Sequence, residues 1–343
     1  MAVSPLEIHT LRNRNGMTVR FLPIGGAIIA IEVPDRAGNF DNVVLAFADP
    51  AAYATQSVYF GVICGRYANR IARARFAIGG VEYRLHPTDG TSSVHGGRKG
   101  FDRAVWSVEP IAAENGAAAR LLHTSPDGDE GYPGTLSVAV EYRLTDDDAF
   151  TIDYRATTDR TTIVNLTNHA YFNLGGDGSG DVLSHRLEIN ADRWTPADGI
   201  LIPTGEIASV TNTPFDFRRP AAIGERIRVP HPQMVAGRGY DLNYVLNRGA
   251  GAGLVFAARV CEPRSGRILE IHTTEPGLQL YTGNLLDGTL AGARGLYRQS
   301  DGFCLEPHHY PDSPNRPEFP SVLLKPGETY RSQTVYRFAT AIA

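Results

Sequence analysis

Apolar side chains fall on alternate positions through several stretches of the chain. In Leu136-Ser137-Val138-Ala139-Val140-Glu141-Tyr142-Arg143-Leu144 every second residue from Leu136 is apolar, and after the acidic turn Asp146-Asp147-Asp148 the alternation resumes with Phe150, Ile152 and Tyr154. Successive side chains of a strand point to opposite faces, so this pattern predicts a β-hairpin with one buried face. The same period-two reading covers Arg75 to Leu85, Ile163 to Thr167, Ile268 to Thr274, Leu278 to Tyr281 and Tyr330 to Phe338. Helical periodicity is scarce, and its best candidate, Ala221 to Arg228, is only about two turns long. The 36 Gly and 22 Pro are scattered rather than clustered, as turns between many short strands require.

An all-β chain is therefore expected. No repeat of propeller or solenoid length and no Pro-rich or Ser-rich linker divides the 343 residues. The simplest architecture is one large antiparallel β-sandwich forming a single domain over residues 1–343. The Gly175-Gly176-Asp177-Gly178-Ser179-Gly180 stretch is expected to be a surface loop. Beyond it, Val182 to Ile189 reads as a strand and not as the helix a dinucleotide fingerprint needs.

Charge removes further classes. Lys plus Arg number 33 against 37 Asp plus Glu, a net −4, which leaves no positive surplus for a phosphate backbone or an anionic bilayer. Nucleic acid and membrane are not expected partners. No apolar run approaches the roughly 18 residues of a spanning helix; Ala27 to Ile31 is cut by Glu32. The start, Met1 to Glu7, shows neither the basic nor the apolar region of a secretory signal, so a cytoplasmic location is expected. Cys64, Cys261 and Cys304 are odd in number and widely spaced, which fits neither a disulfide framework nor a zinc site and predicts reduced, buried thiols.

Ten histidines invite a metal, but none has the His-Glu-x-x-His spacing, and His308-His309 on a strand would point to opposite faces. No Gly-x-Ser-x-Gly elbow offers a nucleophile. Neither metal nor cofactor is expected. The conspicuous segments are those dense in polar and aromatic residues: Gly65 to Ile71, Val94 to Gly97 with Gly100 to Asp102, Asn165 to Leu174, Gly239 to Tyr244, Pro276 to Asn284, and Leu305 to Asn315. Singly, Arg66 and Arg70 read equally as surface charges, His95 as a turn cap and Asp241 as a loop acid. His169 sits beside Tyr171 and Phe172 in sequence that alternates into a buried sheet, where its imidazole needs a hydrogen-bond partner. Glu306 follows Phe303-Cys304-Leu305 and precedes Pro307, which places it at the end of a buried strand facing a cleft, where burial perturbs a carboxyl pKa. Together these segments describe a polar cleft with aromatic walls. Such a site suits a sugar, bound by directional hydrogen bonds and stacking, and 14 Phe, 15 Tyr and 2 Trp supply the rings.

On these segments the chain resembles the aldose 1-epimerase (galactose mutarotase) family. Gly65-Arg66-Tyr67-Ala68-Asn69-Arg70-Ile71, His95-Gly96-Gly97, Asn168 to Leu174, Tyr240-Asp241, Gly277 to Asn284 and Glu306 with Pro311-Asp312 and Asn315 follow the family's order, and Gly25-Gly26-Ala27 and Pro34-Asp35-Arg36 also fit. The resemblance implies a β-supersandwich, no cofactor, and interconversion of the α and β anomers of a free aldose such as galactose or glucose. By the family pattern Glu306 is the base at the C1 hydroxyl and His169 the acid at the ring oxygen. Asn69, Arg70, His95, Asp241 and Gln279 orient the hydroxyls, with Arg66 structural. The partner implied is the small-molecule aldose, met by a monomer or homodimer. One departure is His308, where the family commonly has Gln, with Pro307 stiffening the strand between it and Glu306. Two other readings compete: a glycoside hydrolase pairing Glu306 with Asp241, and a sugar-binding domain without turnover.

Overall fold

The alternation at Leu136–Leu144 becomes a strand of that extent, paired antiparallel with Ala149–Thr158 so that Val140 faces Tyr154 and Tyr142 faces Ile152. The computed structural model describes residues 4–55, 58–249, 251 and 253–341, so Met1 to Val3 of the chain start lie outside the described residues. This hairpin is the middle of a nine-stranded sheet. In order, its strands are Ser107–Ile111, Ala117–Ser125, Leu136–Leu144, Ala149–Thr158, Tyr330–Thr340, Arg267–Thr273, Val255–Cys261, Arg186–Ile189 and Ala221–Ala222, all antiparallel. A four-stranded sheet, His9–Arg12 to Phe40–Asn42, and a five-stranded sheet complete the main layers. The five strands run in the order Ala208–Ser209, Arg193–Thr195, Asp241–Val245, Gly277–Tyr281, Cys304–His308.

One apolar cluster joins the sheets. Leu242, Leu278, Leu280 and Leu305 from the five-stranded sheet share it with Val140, Ile152, Leu269 and Ile271 from the nine-stranded sheet and Val19 and Ile31 from the four-stranded one. The fold is the expected all-β sandwich. No helix among the described residues is long and apolar enough to cross a membrane.

Several boundaries differ from the reading of the sequence. Ala221 to Arg228 is not a helix: Ala221–Ala222 pairs with Arg186 and Leu187 at the sheet edge, and Ile223–Glu225 is a single 3-10 turn. Pairing at the edge overrides the weak local periodicity. The one α-helix of the described residues is Pro232–Gly237, started by Pro at its first turn and by the His231 ring accepting from Gln233 N–H. Val182 to Ile189 is a strand only over Arg186–Ile189, because Val182 to His185 close a turn. Ile163 to Thr167 divides into Thr162–Ile163, paired with Leu323–Leu324, and Thr167–Asn168, paired with Ile63–Cys64. Arg75 to Leu85 is a hairpin folded at Gly79-Gly80, both with positive φ. The three cysteines are free, but Cys261 is half-buried rather than buried, since it ends its strand beside a turn.

Candidate active site

Register in the five-stranded sheet lays polar side chains out in rows. Cα pairing sets Asp241 against Tyr281 and Tyr281 against Cys304; one row over on the same face, Thr195, Asn243, Gln279 and Glu306 lie abreast. Because side chains alternate, these residues share one face, while Leu242, Leu280 and Leu305 of the intervening row fill the core on the other. Glu306 is therefore not at a strand end as its sequence context suggested. It is central in Cys304–His308, and Pro307 continues the strand because this strand is last in the sheet order and can forgo an amide donor.

Across the site stands His169, just beyond the Thr167–Asn168 strand. Its amide donates to the Val62 carbonyl at 2.9 Å, its carbonyl accepts from Gly61 at 3.0 Å, and Asn168 Nδ2 donates to Gly61 O at 2.7 Å. The imidazole thus enters at a fixed angle, with Nε2 3.6 Å from Glu306 Oε1. His95 follows the Ser93–Val94 strand, which pairs with Arg70–Ile71 just after Asn69; Asn69 and His95 both hold positive φ and are locked together: His95 N–H donates to Asn69 O, and Asn69 N–H donates to His95 Nδ1 at 3.1 Å. Gly96 is required there, since a Cβ would meet Gly65 O at 1.8 Å.

Arg70 reaches Asp89 at 2.9 Å and Asp241 Oδ2 at 3.5 Å, and Gln279 Nε2 donates to Asp241 Oδ1 at 2.5 Å. All seven residues singled out from the sequence therefore form one closed circuit. Asn69 holds His95, the His95 ring packs on His169 at 5.1 Å, His169 faces Glu306, Glu306 lies beside Gln279, Gln279 holds Asp241, and Asp241 returns to Arg70, next to Asn69. Arg66 stays outside it. Buried, it donates to the carbonyls of Ser125, Pro126, Pro133 and Gly134, the structural role expected of it.

Burial governs the electrostatics. It pushes Glu306 well above the usual carboxyl range, with neighbouring Asp241 adding to the effect, and pulls His169 down to about 4. His95 falls well below its ordinary value, from burial and then from His169 nearby. Burial also works against the Arg70 cation, but Asp241 and Asp89 outweigh it and the guanidinium stays charged. Both shifts favour an imidazole beside a carboxylic acid over an ion pair at the His169–Glu306 contact.

His95, His169 and Glu306 each offer an atom within 4.8 Å of the others, the one such three-residue cluster among the described residues. The donor set does not suit a cation. His95 Nδ1 accepts a backbone N–H, so its Nε2 carries the proton and presents a donor where a metal needs a lone pair.

Sequence reasoning left out four residues of the site. Tyr59 covers it, 4.6 Å from the His95 ring and 5.7 Å from that of His169, and Tyr281 flanks His169 at 6.4 Å. Asn243 shares the row of Gln279 and Glu306, and Cys304 Sγ lies 3.5 Å from His169 Nδ1. The alternation Asp241, Asn243 and Cys304, Glu306 was the available signal for the last two. His308 shares the face of Glu306, fully buried with Nδ1 on the His309 carbonyl at 2.6 Å, whereas His309 turns away to Glu275 at 2.7 Å. Four buried atoms of this face lack partners: Asn243 Oδ1, Gln279 Oε1, Glu306 Oε2 and His308 Nε2.

An all-β sandwich with a buried His–Glu pair, ringed by hydrogen-bonding side chains and aromatic walls, defines an acid–base site for an uncharged polar molecule. The aldose 1-epimerase family model matches residues 7–337, and the chain belongs to that family. It is 46% identical over 326 residues to the galactose mutarotase of Bos taurus, spanning 95% of this chain and 92% of that protein. It is 40% identical over 336 residues to the aldose 1-epimerase of Escherichia coli K12, spanning 97% and 95%. The crystal structure of a galactose 1-epimerase from Lactobacillus acidophilus superimposes with a TM-score of 0.86 at 28% identity, covering 97% of this chain and 94% of that one.

Proposed function

We propose that Glu306 and His169 interconvert the anomers of a free aldose such as galactose or glucose, the activity that membership of the aldose 1-epimerase family gives this enzyme. The observation that carries the residue assignment is the 3.6 Å separation of His169 Nε2 from Glu306 Oε1 within a face of partnerless acceptors. Asn243 Oδ1, Gln279 Oε1 and His308 Nε2 call for hydroxyl donors, which a sugar has and an apolar ligand lacks. Arg70, Asp241 and Gln279 hold further hydroxyls, and His95 presents Nε2–H toward the ring oxygen.

The pair works with a single proton. With the cyclic sugar in place, the Glu306 carboxylate takes the proton of the C1 hydroxyl. The C1–O1 bond becomes the aldehyde carbonyl, the bond from C1 to the ring oxygen breaks, and that oxygen takes the proton of His169 Nε2. Rotation about C1–C2 turns the other carbonyl face to the hydroxyl. On closure His169 recovers its proton and Glu306 returns the other to O1, giving the second anomer with the enzyme unchanged. In the open-chain state the pair is neutral, the arrangement burial favours, so the protein stabilises the side of the equilibrium that water disfavours.

Asp241 is poorly suited to act as the second carboxylate of a glycosidase, because one oxygen accepts from Gln279 and the other faces Arg70. A binding module would have no use for the proton pair. We place the enzyme in the cytoplasm, as a monomer or homodimer. Polarimetry on freshly dissolved α-D-galactose, α-D-glucose and α-D-xylose tests the reading: the approach to anomeric equilibrium accelerates with the protein and loses that acceleration in His169→Asn. Full acceleration in that variant would remove His169 from the chemistry.

A further inference from the structure

We infer that Cys304 is a positioning residue for His169: its sulfur accepts from Nδ1–H, so that Nε2 faces Glu306 and is the nitrogen that both gives and takes the proton. The inference rests on the acid–base reading of Glu306 and His169. Its basis is the 3.5 Å contact of Cys304 Sγ with His169 Nδ1, opposite the 3.6 Å approach of Nε2 to Glu306.

Cys304 and Glu306 are two residues apart on one strand, so their side chains leave the same face about 6.6 Å apart along it. The imidazole spans that interval, one nitrogen against each. Rotation of the ring is thereby tied to the strand that carries the base. Packing closes the remaining freedom: the Tyr171 ring stacks on His169 at 5.1 Å, and Cys304 belongs to the buried cluster of Phe60, Cys64 and Tyr171.

The chemistry of the partner matters. When His169 is to receive a proton at Nε2, its other nitrogen must carry N–H, and the sulfur lone pair accepts it. The imidazolium that gives the Nε2 proton carries Nδ1–H as well, so the sulfur accepts from it in both states. Burial, reinforced by Glu306, raises the Cys304 pKa well above its usual value, so the group is a thiol in both states. A carboxylate at this place would hold the imidazolium firmly and oppose release of its proton. A thiol orients without adding charge, which suits a reaction that must run equally in both directions.

The test compares Cys304→Ala, which deletes the contact, with Cys304→Ser, which keeps a donor and acceptor. Polarimetry gives kcat, KM and pH profile; imidazole nitrogen NMR of the sugar-free protein, with His169 resonances identified by their loss in His169→Asn, reports the contact itself. Cys304→Ala is expected to lower kcat roughly three- to tenfold at unchanged KM. It should also move the Nδ1 resonance and shift the acidic limb of the profile to lower pH, because the imidazolium loses the stronger, charge-assisted bond. Cys304→Ser should recover most of kcat. Wild-type kcat and pH profile in Cys304→Ala, or equal losses in both variants tracking only a lowered Tm, would overturn the proposal, as would an unmoved Nδ1 resonance. A wild type inert toward every aldose would overturn the functional reading instead, recognisable because the nitrogen spectrum still responds to Cys304→Ala.

Discussion

Arg70 and Asp241 meet at 3.5 Å although 171 residues separate them, and Asp241 uses its other oxygen to accept from Gln279. The contact ties the loop carrying Asn69 and His95 to the sheet carrying Glu306. Arg70→Ala removes both the proposed hydroxyl ligand and this tie. We expect kcat/KM to fall about ten- to hundredfold, as loss of a charged hydrogen-bond partner does. Initial-rate polarimetry checks it, and an unchanged kcat/KM would take Arg70 out of the site.

Glu306→Gln and His169→Asn each remove one end of the proposed proton relay while preserving shape. Each is expected to lower kcat by roughly 10²–10⁴-fold. Sugar binding, followed by calorimetry, should persist, because the proposed hydroxyl ligands Asn69, Gln279 and Asp241 are untouched. Loss of binding together with rate would point to a collapsed site rather than a missing proton.

The pH profile should have an unusual assignment. Between the His169 value of about 4 and the raised Glu306 value the pair holds one proton, which is the active inventory. Below about 4 both groups are protonated; above the Glu306 value neither is. The profile of kcat/KM is therefore expected to have its acidic limb near 4, belonging to His169, and its basic limb at the raised Glu306 value. An acidic limb close to the ordinary histidine value of about 6.5 would contradict it.

Stability depends on pH in a window where activity does not. Glu306 is buried with its folded pKa raised above the unfolded value, so folding takes up a proton in the window between the two and stability declines as pH rises through it. Glu306→Gln has no such proton to take up. Its Tm should exceed that of the wild type, with a margin that widens in thermal melts as pH rises from the ordinary carboxyl range toward the raised Glu306 value. A margin independent of pH would mean that Glu306 is already ionised in the fold.

How far the sequence could be read depended on distance along the chain. The alternation from Leu136 to Leu144 and from Tyr330 to Phe338 needs only neighbouring residues to be recognised, and both strands are present. Ala221 to Arg228 failed because its conformation is decided by pairing with Arg186 and Leu187, which lie far back in the chain. The site behaves likewise. Glu306 and His169 stood out in their local settings, whereas for Asn243 and Cys304 local alternation gives only the face each shares with Asp241 or Glu306, and register between strands brings those faces together. His95 reads as a turn cap until the backbone exchange with Asn69 is seen.

The closed circuit from Asn69 around to Arg70 has a consequence for how such an enzyme can change over generations. Each member touches two others, so replacements inside the circuit are expected to be strongly non-additive, and a change at one position asks for a compensating change at the next. Residues that border the circuit without belonging to it, such as Asn243 and His308, carry no such obligation. Divergence in sugar preference is therefore expected to accumulate along this margin, while the proton relay at its centre stays as it is.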